Sequence, residues 1–236
     1  MSKYLVKNSK MKLTEAAILG QFNEVVSIFN FNLPEYKSAD GTIICPMAKE
    51  CIKFCYVANK ASGYKRFGDA PAKAMERNFE AAKNESFVDE INKEIKSKRS
   101  IDYVRIHDSG DFYSRTYLRK WFKIMELNPN VKFYAYTNMV TMFRRAKLNN
   151  EVPSNFDYSF SASGGAQSHL IDKDKERHSM AFGLNATKKD GTKSKKIDKK
   201  ATIKHFKALG YGNAAENDLM MTRWYNTSHK VGLVFH

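Results

Sequence analysis

Two rhythms of apolar residues run through this chain, one of period two and one near 3.6, and they take turns. The stretch 24–32 (EVVSIFNFN) is β-branched and aromatic, as a strand requires, and Pro34 ends it. Residues 71–85 (PAKAMERNFEAAKNE) predict a helix with proline in its first turn. A second helix follows, with Ser86 as its cap and Phe87, Ile91 and Ile95 recurring on one face. Strands are expected at 101–106, 131–137, 156–163, 179–184 and 231–235, and helices at 117–127, 139–148 and 202–209. In the helix 117–127 the apolar stripe is Leu118, Trp121, Phe122 and Met125, and Gly210 closes the helix that begins at 202. Residues 1–12 read as a loose tail.

Strands alternating with helices of this length build βαβ units on a parallel sheet. The expectation is one α/β domain over residues 1–236, a partial or complete (β/α) barrel of the TIM type, with an open doubly wound sheet as the alternative.

With 42% apolar and 13% aromatic residues the chain can bury a sizeable core, which argues against disorder. Its early apolar stretch is broken by Glu15, Gln21, Asn23 and Glu24, so neither a secretory leader nor a membrane span is expected, and a cytoplasmic, reducing location is. The 40 basic and 25 acidic residues leave a net charge of +15. Seven lysines fall within residues 187–200, which read either as a mobile, solvated insertion or as a footprint for nucleic acid. No aromatic residue lies among them to stack on bases.

All three cysteines, Cys45, Cys51 and Cys55, stand in one short stretch, CPMAKECIKFCY. In a reducing compartment an odd number of clustered thiols argues for metal over disulfide. Zinc knuckles favour two-residue spacings and a fourth ligand, whereas iron–sulfur clusters tolerate irregular triads. The spacing here, five intervening residues and then three, leaves a [4Fe–4S] cluster, a Cys3His zinc site and three unrelated buried thiols open.

In parallel α/β proteins chemistry gathers where strands end. The expected strands end in the cysteine loop, in His107, Asp108, Ser109, Gly110 and Asp111, in Thr137 and Asn138, in Ser161, Ser163, Gly164 and Gly165, and in His236. His107, Asp108 and Asp111 also suit an acid–base or divalent-metal hydrolase site, and Arg105, if it points inward, needs a partner that Asp108, Asp111 or an anionic ligand could supply. Ser161, Ser163 and the two glycines offer backbone N–H groups to an anion. Tyr64, Lys65 and Arg66 offer contacts to an anionic substrate, while Tyr56, Tyr113, Tyr134 and Tyr136 read as core or shell. His169, His178, His229 and His236 are surface or structural positions, any of which could complete a metal shell.

A strand followed by a three-cysteine loop ending in FCY, and then a (β/α) continuation, resembles the radical S-adenosylmethionine enzymes. The loop spacing is longer than theirs, and SGD (109–111) stands where they carry Gly-Gly-Glu. A closer resemblance is to the phage and giant-virus proteins of the gene-product-eighty-eight type. It rests on FNLPEYKSADGTIICPMAKECIKFCYVANKASGYKRF, on AMERNFEAA, on VRIHDSGDFYSRTYLRKWFKIMELNPNVKFYAYTN and on YSFSASGG, and covers roughly residues 29 to 165. These resemblances imply a [4Fe–4S] cluster on Cys45, Cys51 and Cys55. They further imply that Ser109, Gly110 and Asp111 lie where S-adenosylmethionine would be held.

The resulting expectation is an iron–sulfur protein doing redox or radical chemistry on a small molecule or nucleotide, in the host cytoplasm or the virion. The alternative is a basic nucleic-acid-binding or virion-associated module with a structural zinc site.

Overall fold

The computed structural model describes residues 3–55, 69–188 and 192–234, the side chain of Phe54 excepted. The chain runs α1 (Ser9–Phe22), β1 (Ile28–Phe31), α2 (Asp69–Lys83), α3 (Phe87–Ser97), β2 (Tyr103–Ile106), α4 (Arg115–Glu126), β3 (Lys132–Thr137), α5 (Val140–Leu148) and β4 (Phe156–Ser161). It continues through β5 (His178–Phe182), β6 (Asn185–Thr187), β7 (Lys193–Ile197), α6 (Lys199–Ala208), β8 (Gly212–Asn213) and β9 (Lys230–Val234).

Seven strands form one sheet in the order β1-β2-β3-β4-β5-β9-β8, and each neighbouring pair is parallel. Strand parity sorts the side chains. Phe31, Val104, Ile106, Phe133 and Ala135 belong to the core that also takes Phe79, Phe87, Trp121 and Phe143 from α2–α5. Phe31, Phe87 and Trp121 meet edge to face there, with centroids 5.2–5.6 Å apart. Ile28, Tyr103 and Tyr134, from the opposite face, pack with Met11 and Ile18 of α1 and with Leu219 and Met221.

The parallel α/β class is as the periodicities imply, but the TIM-like, radical-enzyme-like barrel is not formed. The sheet is open, with β1 and the two-residue β8 at its edges. Two features keep it so. The outer edge of β1 is taken by the N-terminal segment, where Val6 and Asn30 exchange backbone hydrogen bonds of 3.0 and 2.7 Å. The face that would line a barrel is filled by α1 and by the turn Asp218–Met221.

Residues 3–22 are ordered, not a tail. The N–H groups of Lys3, Tyr4 and Leu5 donate to the Glu94 carboxylate at 3.1, 2.8 and 3.1 Å. Asn8 then caps α1 by accepting from Met11 N. The helix is hard to see in the sequence because Leu13, Leu19 and Phe22 stay exposed while Met11 and Ile18 are buried, so no clean apolar stripe results. Ser86 stands before α3, yet its hydroxyl donates to Glu90 at 2.8 Å and does not cap the backbone. Gly210, at φ +80°, does close α6. The lysine-rich segment forms the antiparallel pair β6–β7 and the start of α6.

Candidate functional site

The carboxyl ends of the strands converge on a cavity of about 270 Å³. Cys45, Cys51 and Cys55 all line it, together with residues 107–111, Tyr136, Asn138, Ser161, Ser163 and Ser179.

Main-chain bonds hold the cysteine loop. Cys45 N donates to Tyr36 O at 3.2 Å, and Ala48 N donates back to Cys45 O at 3.0 Å. Cys51 lies on a 3-10 turn (Glu50–Phe54), and its N–H donates to Gly164 O at 3.0 Å. Ala166 N donates to Met47 O at 2.7 Å, so the loop after β4 straps the cysteine loop in place. The thiols are free, and none is fully exposed. Burial pushes Cys45 and Cys51 toward the protonated form, and the charges of Asp111 and Cys55 add to it.

The loop after β2 is shaped by Asn32, whose Oδ1 accepts from the N–H groups of Asp108 and Ser109 at 2.8 and 3.3 Å. Gly110 sits at φ +88°, and a β carbon there would meet Leu33 Cβ at 2.7 Å, so the turn requires glycine. Asp111 is buried and ties this loop to β3. Its carboxylate accepts from Thr137 Oγ1 at 2.7 Å, Asn138 N at 2.9 Å and Phe112 N at 2.8 Å. Burial nevertheless pushes its acid up to about 6. Ser109 Oγ is buried without a partner among the described residues.

His107, Asp108 and Asp111 do not converge. His107 Nε2 hydrogen-bonds the Tyr117 hydroxyl at 2.8 Å, and its ring lies against Phe112. Asp108 Oδ2 accepts from Asn8 Nδ2 at 3.0 Å. Among the described residues no group of three or more His, Cys, Asp or Glu side chains is arranged to hold a metal ion.

Arg105 points inward and meets two carboxylates, Asp108, which the sequence offered as a partner, and Asp218, which it did not reveal. Its Nη1 meets Asp218 Oδ2 at 2.5 Å and Asp108 Oδ1 at 3.2 Å. Lys10 Nζ approaches Asp218 Oδ1 at 3.1 Å, and the guanidinium lies over the Tyr136 ring at 4.9 Å. Two cations and two carboxylates thus balance one another, with Lys10, Arg105 and Asp108 on the cavity wall and Asp218 behind them. Asp218 and Lys10 escaped notice because they come from 3-10 and α1 segments with no periodic signature. Elsewhere, Ser163 Oγ accepts from Ala181 N at 2.8 Å, which occupies it with structure. Tyr134 is core, and Tyr113 stacks on Tyr117 at 4.7 Å. His169 is exposed, and His178 and His229 bond the carbonyls of Glu176 and Lys173. Tyr56, Tyr64, Lys65, Arg66 and His236 lie outside the described residues.

Burial pushes the His107 imidazole down to about 3. The unfolded chain therefore binds a proton below pH ~6.5 that the folded one refuses, and stability falls on acidification by about 1.4 kcal/mol per unit down to pH ~3. His107 sits at φ +64°, a backbone that asparagine tolerates. We expect His107→Asn to flatten the loss between pH 7 and pH 5 in urea titrations. An unchanged pH slope would remove His107 as its source.

An open parallel α/β sheet with a three-thiol cavity at its carboxyl rim is the class that fold and site define. The chain belongs to the family described as Gene product 88, which it matches over residues 4–220. It is 29% identical to the Gene 88 protein of Mycobacterium phage L5 over 108 residues, 41% of this chain and 44% of that one. To the Gene 88 protein of Mycobacterium phage D29 it is 28% identical over 129 residues, 50% of this chain and 51% of that one. The chain thus spans about half the length of these phage relatives. No solved structure matches it. Among the described residues no helix is long and apolar enough to cross a membrane.

Proposed function

We propose that Cys45, Cys51 and Cys55 hold a [4Fe–4S] cluster in the rim cavity, beside a site for a small molecule or nucleotide. The observation that carries this reading is the convergence of all three thiols on one cavity with the carboxyl ends of five strands. The donor set fits the group. Burial, with the nearby Cys55 charge, disfavours ionisation of Cys45 and Cys51, and a cationic occupant relieves that opposition. When bound, such a cluster supplies one-electron chemistry and an iron left open to a further ligand.

The chain's own residues do the rest. The loop after β4 orients Cys51 through its N–H, Asp111 locks the β2 loop to β3, and Ser109 Oγ offers a polar group to a ligand. Because Asp111 already accepts three hydrogen bonds, a ligand ammonium such as that of S-adenosylmethionine would compete for its lone pairs.

Anaerobic reconstitution with iron and sulfide tests the proposal. We expect a brown protein with about four irons per chain and a paramagnetic signal on reduction. Adding S-adenosylmethionine to the reduced sample decides whether that cofactor binds, by a change in the signal or its absence. A colourless protein carrying one zinc would overturn the cluster.

A further inference from the structure

Residues 187–207 carry nine lysines against two aspartates, a surplus of seven out of the chain's +15. The fold turns this charge into a shaped surface. β6 and β7 pair antiparallel, and Lys193, Lys195 and Lys196 are exposed along β7. α6 follows directly and buries Thr202, Ile203 and Phe206 while Lys199, Lys200, Lys204 and Lys207 face outward. The unit is anchored: Ile197 packs on the small core of Ile203, Phe206 and Val234, and Asp198 N donates to Leu184 O at 2.8 Å.

Several lysines on other faces, Lys3, Lys7, Lys10, Lys83 and Lys98, are paired with carboxylates, while others such as Lys93 and Lys96 of α3 stand singly among the described residues. Among the described residues the seven exposed lysines of β7 and α6 form no ion pair. The strip therefore presents uncompensated charge.

We propose that this strip is a docking surface for the phosphate backbone of nucleic acid. Neither strand of the hairpin exposes an apolar side chain, and the exposed leucines at the strip's ends, Leu184 and Leu209, stand apart at single positions, which is less than the apolar face with which basic surfaces enter a lipid interface. The hairpin exposes no aromatic ring either, so contact is to phosphate and independent of sequence. β6 leaves β5 at the rim where Ala181 lines the cavity, and α6 packs on β9, whose Leu233 and Val234 also line it. A bound strand would run beside the cavity mouth. The inference stands independently of any cluster.

The test is anisotropy of a fluorescent oligothymidylate titrated with the full-length protein across a salt series. Lys193→Thr/Lys195→Thr/Lys196→Thr is compared with Lys93→Gln/Lys96→Gln/Arg99→Gln, which removes equal charge on and just after α3. We expect the hairpin variant to lower the log–log salt slope by roughly 2, from three lost contacts, and the α3 variant to leave it unchanged, both with unaltered melting temperatures. Equal weakening by both variants, no binding by the parent protein at low salt, or full competition by phosphatidylserine vesicles would each overturn the proposal.

Discussion

Cys51→Ala is expected to bring reconstituted iron from about four per chain to below about one, and to abolish the visible absorbance. The apoprotein should keep its fold. Cys51 is only half-buried, sits in a loop outside the three packed cores, and is held by its backbone N–H, which alanine retains. Its loss should therefore cost no more than about 1 kcal/mol in a urea titration of metal-free protein. Cys55→Ala should behave alike. Cys45 packs against the main core, so replacing it also costs folding energy, and it is the poorer test. A structural zinc site predicts the reverse pattern, in which losing one thiol unfolds the chain because metal binding is itself the folding energy. Iron content and unfolding midpoint, measured on the same variant, separate the two.

The second large effect concerns Asp218. Its carboxylate is buried against Arg105 and Lys10, and Arg105 is itself 5% exposed. Asp218→Asn would leave a buried guanidinium with Asp108 as its remaining carboxylate. The expected loss is about 3–5 kcal/mol, read from urea unfolding midpoints. Arg105→Met combined with Asp218→Leu should recover most of it, since removing both members of a buried pair spares the desolvation that removing one exposes. Lys10 and Asp108, 3.8 Å apart, then balance each other. A single-variant loss below about 1 kcal/mol would mean that water reaches the pair and that the wall of the cavity is wetter than its burial implies.

Much of the site could be read from the sequence because its ligating and polar groups follow strands of strong local character. YVRI and KFYAYT are apolar enough to identify as strands, so the loops after them fall at the rim by the general rule for parallel sheets. Clustering of the thiols needed no structure at all. Closure of the sheet was not legible, because it depends on what meets the edge strands. Val6 pairing with Asn30, and α1 filling the face opposite the other helices, are contacts between segments with weak patterns of their own. Asp218 was invisible for a related reason. Nothing local distinguishes it from any acidic turn residue until Arg105, 113 positions away, is seen beside it.

The strap between the cysteine loop and the loop after β4 is made of main-chain atoms alone: Cys51 N to Gly164 O, Ala166 N to Met47 O, and the bridge of Ala48 with Gly165. Such a fastening is indifferent to what Lys49, Glu50 and Lys53 happen to be. Drift among relatives can rewrite those letters while the thiols keep their station. Gly165 does not share that freedom, since any β carbon there would strike the Asn138 side chain.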